Sequence, residues 1–218
     1  MKERPILFSG PMVRAILAGR KTQTRRVVNF DGLRPEIYNH DAAGSARERE
    51  GGFQFQAGAW NVWSKKVLRC PFGTPGDRRW VRERWAAGAC ADAFSPGELH
   101  AGTWLKDNGG LWFAADESAP SHPITPRGKW RPSIFLPRWA SRLTLEVVAV
   151  RVERLQEISR ADAAAEGMCY LAEQNYPGIV PSNWPEQNFS AGWDTINGKR
   201  APWCSNPWVW VVEFKVAS

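Results

Sequence analysis

The hydrophobic residues of the chain fall mainly in short runs that have the composition of β-strands. Residues 141–155 (S-R-L-T-L-E-V-V-A-V-R-V-E-R-L) are rich in β-branched side chains and predict a long strand. The closing run at residues 207–216 (P-W-V-W-V-V-E-F-K-V) is too short and too β-rich for a helix, so it predicts another strand. Shorter strands are expected at residues 6–8 and 27–30.

A further strand is predicted at residues 78–85, R-R-W-V-R-E-R-W, directly after the turn-forming sequence C-P-F-G-T-P-G-D. Side chains alternate between the two faces of a strand. One face of this strand is expected to carry Trp80, Arg82 and Arg84. The other is expected to carry Val81, Glu83 and Trp85.

The first helix is predicted close to the N-terminus, between two end signals. Ser9 or Gly10 suits the N-cap, and Pro11 suits the first helical position, where its missing N–H costs nothing. The residues that follow are largely apolar, so most of this helix should be buried. Gly19 is suited to the left-handed conformation that ends a helix.

A second, shorter helix is predicted from Ser159, with Asp162 three residues later as a shortened capping box. Gly167 provides its end signal. Glu166 therefore falls in the last turn of this helix.

Three stretches lack a clear period and mix glycine, proline and charged residues, at about 31–66, 86–132 and 170–206. We interpret them as insertions in a single domain, the first of them exposed, and within the second the sequence allows a short strand around residues 111–114. Short strands, few helices and several loops predict a mixed β-barrel with short helices. The insertions are expected either to wall a pocket or to pack on the outside of the barrel, and the sequence leaves both arrangements open.

The charge of the chain is strongly basic. Lys and Arg outnumber Asp and Glu by 29 to 22 among 218 residues, which gives a formal net charge of +7. Such a surface favours polyanions, nucleotides or RNA as partners.

Cysteine and hydropathy patterns exclude several other classes of protein. The four cysteines form no C-x-x-C pair and the three histidines lie far from them, which argues against a zinc site. Free thiols indicate a reducing compartment. No apolar run reaches the ~18 residues of a membrane helix, and the N-terminus, M-K-E-R-P, lacks the apolar segment of a signal peptide. We therefore expect a cytoplasmic protein without a membrane partner.

A cluster of cations and hydroxyls follows the first helix and is the best candidate for a site. A threonine hydroxyl becomes a nucleophile when a neighbouring base takes its proton. Lys21 is a candidate base because the arginines around it in the sequence disfavour its ammonium form. A separation of three residues puts Lys21 and Thr24 on one side if the segment is helical or turn-like. Spacing alone does not choose between Thr24 and Thr22.

Two carboxylates stand out beside this cluster. Glu83 lies on a predicted strand, and Glu166, at the end of the second helix, is a candidate acid toward a leaving amine. The competing interpretation of such a Lys, Thr and Glu set is a solvated charged surface.

The pattern G-x-K-x-x-T-x-R at residues 19–26 resembles the signature of ASCH-domain proteins, a family with a PUA-like β-barrel. Further blocks are similar to phage-type members of that family: P-G-D-x-x-W-V-R-E-x-W, P-R-W-A-S-R-L-T-L, A-x-A-E-G around Glu166, and N-P-W-V-W-V-V-E-F-K. The five blocks occur in order and cover about half of the chain. They leave the three irregular stretches as loop insertions in one PUA-like (ASCH) domain.

Some members of the family are amidohydrolases, and the resemblance implies removal of acyl groups from the exocyclic amine of N(4)-acylated cytosine or cytidine. The implied catalytic residues are Lys21, Thr24 and Glu166, the last in the sequence E-G-M. The resemblance thereby selects Thr24 over Thr22 as the nucleophile, with Lys21 as its base. Glu166 is implied to orient the lysine and to protonate the departing amine. No cofactor and no metal are implied.

Other side chains are candidate substrate contacts. Arg26 is suited to stabilise the developing oxyanion or to anchor a phosphate, because a guanidinium offers fixed, charged donors. The remaining candidate contacts to the pyrimidine are Phe8, Trp80, Glu83 and Trp85.

The alternative function is an RNA-binding module, or a ribonuclease, that uses the same basic cleft. In that hypothesis Lys21, Arg25 and Arg26 contact phosphates and tryptophans stack on unpaired bases. The discriminating residue is Glu166, because a phosphate-binding cleft has no use for a carboxylate, whereas an acyl-transfer site does.

Overall fold

The computed structural model describes residues 2–30, 46–49, 52–57, 62–63, 67–99, 110–116, 126–167 and 184–217. Its strands and α-helices, in chain order, are β1 (Glu3–Leu7), α1 (Gly10–Leu17), β2 (Gln23–Val27), β3 (Ala46–Arg49), β4 (Gly52–Ala57), β5 (Val62–Trp63), β6 (Arg78–Arg82), β7 (Trp85–Ala87), β8 (Leu111–Phe113), β9 (Thr144–Arg154), α2 (Arg160–Ala165), α3 (Pro185–Asn197) and β10 (Trp208–Val216). No helix within these ranges has the length and apolar character needed to cross a membrane.

Five strands form a mixed sheet with the order β1-β6-β9-β10-β2. β1 and β6 are parallel, whereas β6 pairs with β9, and β10 with β2, in the antiparallel sense. Two smaller sheets have the orders β3-β4-β5 and β7-β8. The predicted class, a sheet-rich fold with few short helices, is confirmed. The strands of the described ranges do not close into a barrel.

The end signals of the first two helices are confirmed. Ser9 is the N-cap of α1, and Gly19 beyond its end has a φ of +69°. The Ser159 hydroxyl accepts a hydrogen bond from the Asp162 amide at 3.1 Å, and Gly167 closes α2 with a φ of +80°. Positive φ is costly for side chains with a Cβ atom, so glycine suits both positions.

The chain divides into two compact units. Unit 1 comprises Met1–Gly19, Asp77–Glu146 and Lys215–Ser218, and unit 2 comprises Arg20–Gly76 and Val147–Phe214. The expected single-domain organisation stays a prediction.

The core of unit 1 is built around β7 and the turns that follow it. It contains Trp85, Ala87, Ala91, Leu99, Leu136 and Ala140. Residues 86–132 are predicted to be irregular, with a short strand allowed around residues 111–114. β8 (Leu111–Phe113) confirms that strand and pairs with β7 in an antiparallel ladder. Ala87 and Ala91 are core residues, so irregular structure is wrong for the start of this stretch, where alanines carry little hydrophobic pattern in the sequence.

The core of unit 2 lies against one face of β2, β9 and β10. It contains Val28, Phe30, Phe55, Leu68, Val147, Trp208, Trp210 and Val212. Phe55 comes from the first predicted insertion and is fully buried, with its ring centroid 5.0 Å from that of Phe30 and 5.5 Å from that of Trp208. Irregular structure is thus wrong for β3 and β4, and exposure is wrong for Phe55, whereas Glu48 and Arg49 of β3 are exposed as expected. The rest of that insertion includes residues 31–45, which lie outside the described residues.

The third predicted insertion contains a helix, α3. Pro185 occupies its first turn with Glu186, and Phe189 and Trp193 are buried on one side. Proline and an acidic residue in the first turn are ordinary start signals, so the irregular structure expected here is also wrong. Residues 168–183 of this insertion lie outside the described residues.

Candidate functional site

The basic cluster after α1 lies on an extended strand rather than on a helix or turn. β2 pairs with β10 in register, with Thr24 opposite Val212 and Arg26 opposite Trp210. The ladder extends to Thr22, whose carbonyl accepts from the Phe214 amide at 2.8 Å. The spacing argument that put Lys21 and Thr24 on one side of a helical segment is therefore wrong. On a strand, residues three apart have opposite orientations.

The two faces of β2 have different surroundings. Thr24 and Arg26 share a face with Trp210 and Val212, which belong to the core of unit 2. Gln23 and Arg25 occupy the opposite face, where they meet the carboxylates of α2 and β9. The cations of the motif are thus divided between an apolar environment and an acidic one.

Lys21 and Glu166 form a buried ion pair. The Lys21 Nζ donates to Glu166 Oε2 at 2.7 Å and to the Glu166 backbone oxygen at 2.9 Å. Solvent reaches 0% of the lysine side chain and 4% of the glutamate side chain. The ammonium is thus within hydrogen-bond reach of the glutamate, as general acid–base catalysis by this pair requires.

The backbone holds Glu166 beside β2. The Thr22 amide donates to the Ala165 oxygen at 2.9 Å, and Lys21 and Glu166 form an isolated antiparallel bridge. β2 is the last strand in the sheet order, so the end of α2 lies along an edge that pairs with no strand of the described ranges. At such an edge a long side chain from either face of β2 can approach the carboxylate.

Arg25 connects Glu166 to two further carboxylates. Its Nη1 lies 3.4 Å from Glu166 Oε1, and its Nη2 lies 3.0 Å from Glu153 Oε2 and 3.2 Å from Asp162 Oδ2. The Arg25 side chain is completely buried, and its guanidinium lies 5.8 Å from the ring centroid of Phe189 in α3. A residue of the third predicted insertion therefore packs against this network.

Asp162 is the centre of the remaining contacts. Gln23 Nε2 donates to its backbone oxygen at 2.8 Å and to Oδ1 at 3.1 Å, and Arg151 Nη2 donates to Oδ1 at 3.0 Å. Arg151 also pairs with Glu153 and Glu213. Every cation here has a carboxylate partner, which offsets the cost of removing the charges from water.

Burial lowers the pKa of Lys21. Loss of hydration is the largest cause, the positive charges of Arg26 and Arg25 act in the same direction, and Glu166 opposes them. Burial likewise lowers the pKa of Arg26, again opposed by Glu166. Because the Arg26 charge acts on both members of the pair, this guanidinium on the apolar face of β2 is electrostatically coupled to it.

The two threonines of the motif differ in exposure. Thr24 is buried, with 3% of its surface exposed, whereas Thr22 is exposed. Arg26 is half-buried, and its guanidinium lies 5.9 Å from the ring centroid of Phe72. Lys21, Thr24, Arg26 and Glu166 all belong to unit 2.

The other predicted substrate contacts belong to unit 1. Phe8 and Trp85 are buried packing residues with 3% and 0% exposure. Trp80 is 7% exposed, and the guanidinium groups of Arg82 and Arg138 lie 4.6 Å and 5.9 Å from its ring centroid. The burial of Phe8, Trp80 and Trp85 is therefore explained by packing inside unit 1.

Glu83 is held by an arginine. Arg142 donates from Nε to Glu83 Oε1 at 2.9 Å and from Nη2 to Oε2 at 3.0 Å, and its Nη1 binds Asp116. Burial raises the pKa of Glu83, although Arg142 opposes this shift. A bidentate arginine–carboxylate pair is a strong, geometrically specific interaction. The pair with Arg142 therefore gives the buried Glu83 a structural role.

Sequence reasoning missed the residues that surround the ion pair, namely Arg25, Glu153 and Asp162 as partners of the site. One signal was present in the spacing. Asp162 lies in α2, and Glu166 directly follows its last residue with helical backbone angles, so these residues four apart lie on one side of the helix end. Gln23 and Arg25 are two residues apart and so share one face of a strand. This relation was missed because the segment was expected to be a helical turn.

We expect the Glu166→Ala substitution to destabilise the protein by about 3–5 kcal/mol, because it leaves the buried Lys21 charge without its partner. The matched control is Glu146→Ala, which removes a surface pair with Lys215 at 3.2 Å and should cost about 0–1 kcal/mol. Chemical denaturation measures both free energies of unfolding. Equal losses in the two variants would contradict the assigned burial of the Lys21–Glu166 pair.

We expect acid to lower the stability of the protein by protonating Asp162, which removes the charge that its partners contact. Hydrogen bonds from Gln23 and Ser159 and the charges of Arg25 and Arg151 lower the pKa of Asp162, against an opposing effect of burial. A lowered folded-state pKa contributes stability above the unfolded value, and that contribution is lost as the pH falls below about 4. The Asp162→Asn variant should therefore show a smaller fall of Tm between pH 5 and pH 3 than the wild type. An unchanged pH profile would contradict this role.

Within the described ranges, no group of three or more His, Cys, Asp or Glu side chains is arranged to hold a metal ion. Comparison of the chain with protein-family models, with curated proteins and with solved structures gives no match.

Proposed function

We propose that this chain is an ASCH-type amidohydrolase with a PUA-like barrel, and that it removes acyl groups from N(4)-acylated cytosine or cytidine. The observation that carries the proposal is the buried Lys21–Glu166 ion pair, with 2.7 Å between its charged atoms. A lysine whose pKa is lowered by burial holds its proton less tightly than an exposed lysine, and this is what a base near neutral pH requires.

In the reactive form of the proposed mechanism the proton of the pair is on Glu166 and the Lys21 amine is neutral. Thr24 attacks the acyl carbonyl, and its hydroxyl proton passes to this amine around the edge of β2, because the two residues leave the strand on opposite faces. Collapse of the tetrahedral intermediate breaks the carbon–nitrogen bond, and the Glu166 carboxyl group protonates the departing exocyclic amine. Water then hydrolyses the acyl-threonine ester. Arg26 stabilises the oxyanion, since its guanidinium is already coupled electrostatically to the pair.

The ion pairs of the site favour this function over an RNA-binding cleft at the same residues. Lys21 and Arg25 are buried and paired with Glu166, Glu153 and Asp162. Binding a phosphate there would bring a further negative charge close to three carboxylates, which is repulsive at low dielectric. The same carboxylates suit a site that moves protons to and from a neutral amide.

The direct test is to incubate the purified protein with N(4)-acetylcytidine and with N(4)-acetylcytosine and to follow release of cytidine or cytosine by chromatography. We expect catalytic release of at least one product. A matched incubation with unmodified 2′-deoxyadenosine controls for contaminating nucleoside-processing enzymes. Absence of turnover with a range of short N(4)-acyl groups would refute the proposal.

A further inference from the structure

Unit 1 contains a group of arginines and tryptophans that the proposed hydrolysis does not use. Arg84 and Arg127 both pack against Trp130, with 5.5 Å and 4.5 Å between their guanidinium carbons and the ring centroid. Both arginines are exposed, and Trp130 is half-buried. We call these three residues the Trp130 cluster.

The charges of the Trp130 cluster are not neutralised by the described part of the protein. Arg127 donates from Nη1 to the Gly128 backbone oxygen at 2.9 Å, and neither Arg84 nor Arg127 has a carboxylate partner within the described ranges. This contrasts with unit 2, where Lys21 and Arg25 are paired. An exposed arginine pair that shares one aromatic ring is a positive site able to receive an anion.

The backbone holds the Trp130 cluster in place. Gly128 donates to the Ala87 oxygen at 2.8 Å, and Arg131 and Trp85 exchange hydrogen bonds at 2.7 Å and 3.2 Å. The Asp92 carboxylate accepts from the Lys129 amide at 3.0 Å. The segment therefore forms a bridge beside β7 with its side chains already positioned, which reduces the ordering cost of binding.

A glycine is required at the closest approach of this segment. A Cβ atom at Gly128 would lie 2.4 Å from Asp92 Oδ1 and 2.9 Å from the Ala87 backbone oxygen. Real Cβ contacts are not this short, so a larger residue would push the segment away from β7. The close packing holds the backbone at Gly128, between Arg127 and Trp130, against Ala87 and Asp92.

From this arrangement we propose that the Trp130 cluster binds single-stranded nucleic acid. Guanidinium groups bind phosphate oxygens in a bidentate manner, and unpaired bases stack on aromatic rings and on guanidinium planes. The cluster offers both kinds of contact side by side, on a chain with a net charge of +7. Two other tryptophans of unit 1 pack against arginine, Trp80 with Arg82 at 4.6 Å and Trp85 with Arg131 at 5.5 Å, and both are too buried to accept a base.

The test measures binding of fluorescein-labelled oligouridylate and oligodeoxythymidylate by anisotropy at several salt concentrations. We expect Arg84→Ala and Arg127→Ala each to weaken binding several-fold and to reduce the slope of log K against log salt by about 0.7. Trp130→Leu should weaken binding about tenfold with little change in slope, because it removes stacking rather than charge. The matched control is Arg200→Ala, an exposed arginine of unit 2, which should change neither quantity.

Three outcomes would overturn the proposal: no binding at low salt, equal effects of Arg84→Ala and Arg200→Ala, or stronger binding to vesicles containing phosphatidylserine than to either oligonucleotide. Thermal unfolding of each variant identifies loss of fold, and the two arginine variants remain informative if Trp130→Leu is unstable. Since binding is measured without hydrolysis, the result is independent of the proposed amidohydrolase activity.

Discussion

Thr24→Ala is expected to lower turnover of an N(4)-acylcytidine by roughly three orders of magnitude or more while substrate still binds. The substitution removes the atom that forms the new bond in the transition state, so the loss falls on kcat. The measurement is the rate of cytidine release at saturating substrate, with substrate affinity determined separately by calorimetry.

Thr22→Ala is the matched control for this experiment. It removes the same group two residues away on the same chain segment, from an exposed threonine, and should leave kcat within a factor of about three of the wild type. Full hydrolysis by Thr24→Ala would refute Thr24 as the nucleophile. If the protein only bound RNA, the loss of one neutral hydrogen bond would cost at most about 1.5 kcal/mol of affinity.

Lys21→Arg is expected to lower hydrolysis by roughly 10²- to 10⁴-fold, which is the usual contribution of a general base. The charge and the possibility of a pair with Glu166 are retained, but an arginine cannot give up its proton near neutral pH. A phosphate contact, in contrast, would largely survive this change. The measurements are kcat/KM for cytidine release and the affinity for oligouridylate.

Arg20→Lys provides the control for cation exchange next to the site, since Arg20 belongs to the same motif and is not one of the proposed catalytic residues. It should hydrolyse substrate at nearly the wild-type rate. Because Lys21 is completely buried, the larger guanidinium can also disturb packing, so the Tm of each variant is measured alongside. A Lys21→Arg protein that keeps its Tm and its activity would exclude Lys21 as the base.

The network around Arg25 explains why these two tests are informative as a pair. Arg25 and Lys21 contact different oxygens of the same glutamate, at 3.4 Å and 2.7 Å. Glu166 is therefore held in one orientation by two cations, and its role does not depend on Thr24. Loss of activity in Lys21→Arg alone would indicate direct attack by water, with the ion pair as the proton-transfer group.

The sequence by itself determined the elements whose signals are local. β9 and β10 were predicted from β-branched runs, and both ends of α1 and α2 from serine caps and closing glycines. These signals act over a few residues, through backbone conformation and short hydrogen bonds, so they can be read without knowledge of the fold. The sheet-rich class follows from the same runs.

Where local signals are short or mixed with others, the elements were missed. Phe53 and Phe55 alternate with glutamines, which is the period of a strand, but the run is short and lies among glycines and charges. The contacts of Phe55 with Phe30 and Trp208 show that it is a core residue. The helix α3 was missed for a related reason. Its sequence mixes polar and apolar residues, and the helical pattern becomes clear only when Phe189 and Trp193 are known to be buried.

The site depended most strongly on tertiary structure. Lys21 and Glu166 are 145 residues apart and meet at 2.7 Å because α2 bridges to the edge of β2. Burial of both side chains, which lowers the pKa of Lys21, is likewise a property of that packing. The strand conformation of Gln23–Val27 replaced an expected helical turn, because pairing with β10 outweighs the local preference of a short polar segment. Residue types therefore determined which groups were available for chemistry, and the sheet edge decided which of them came together.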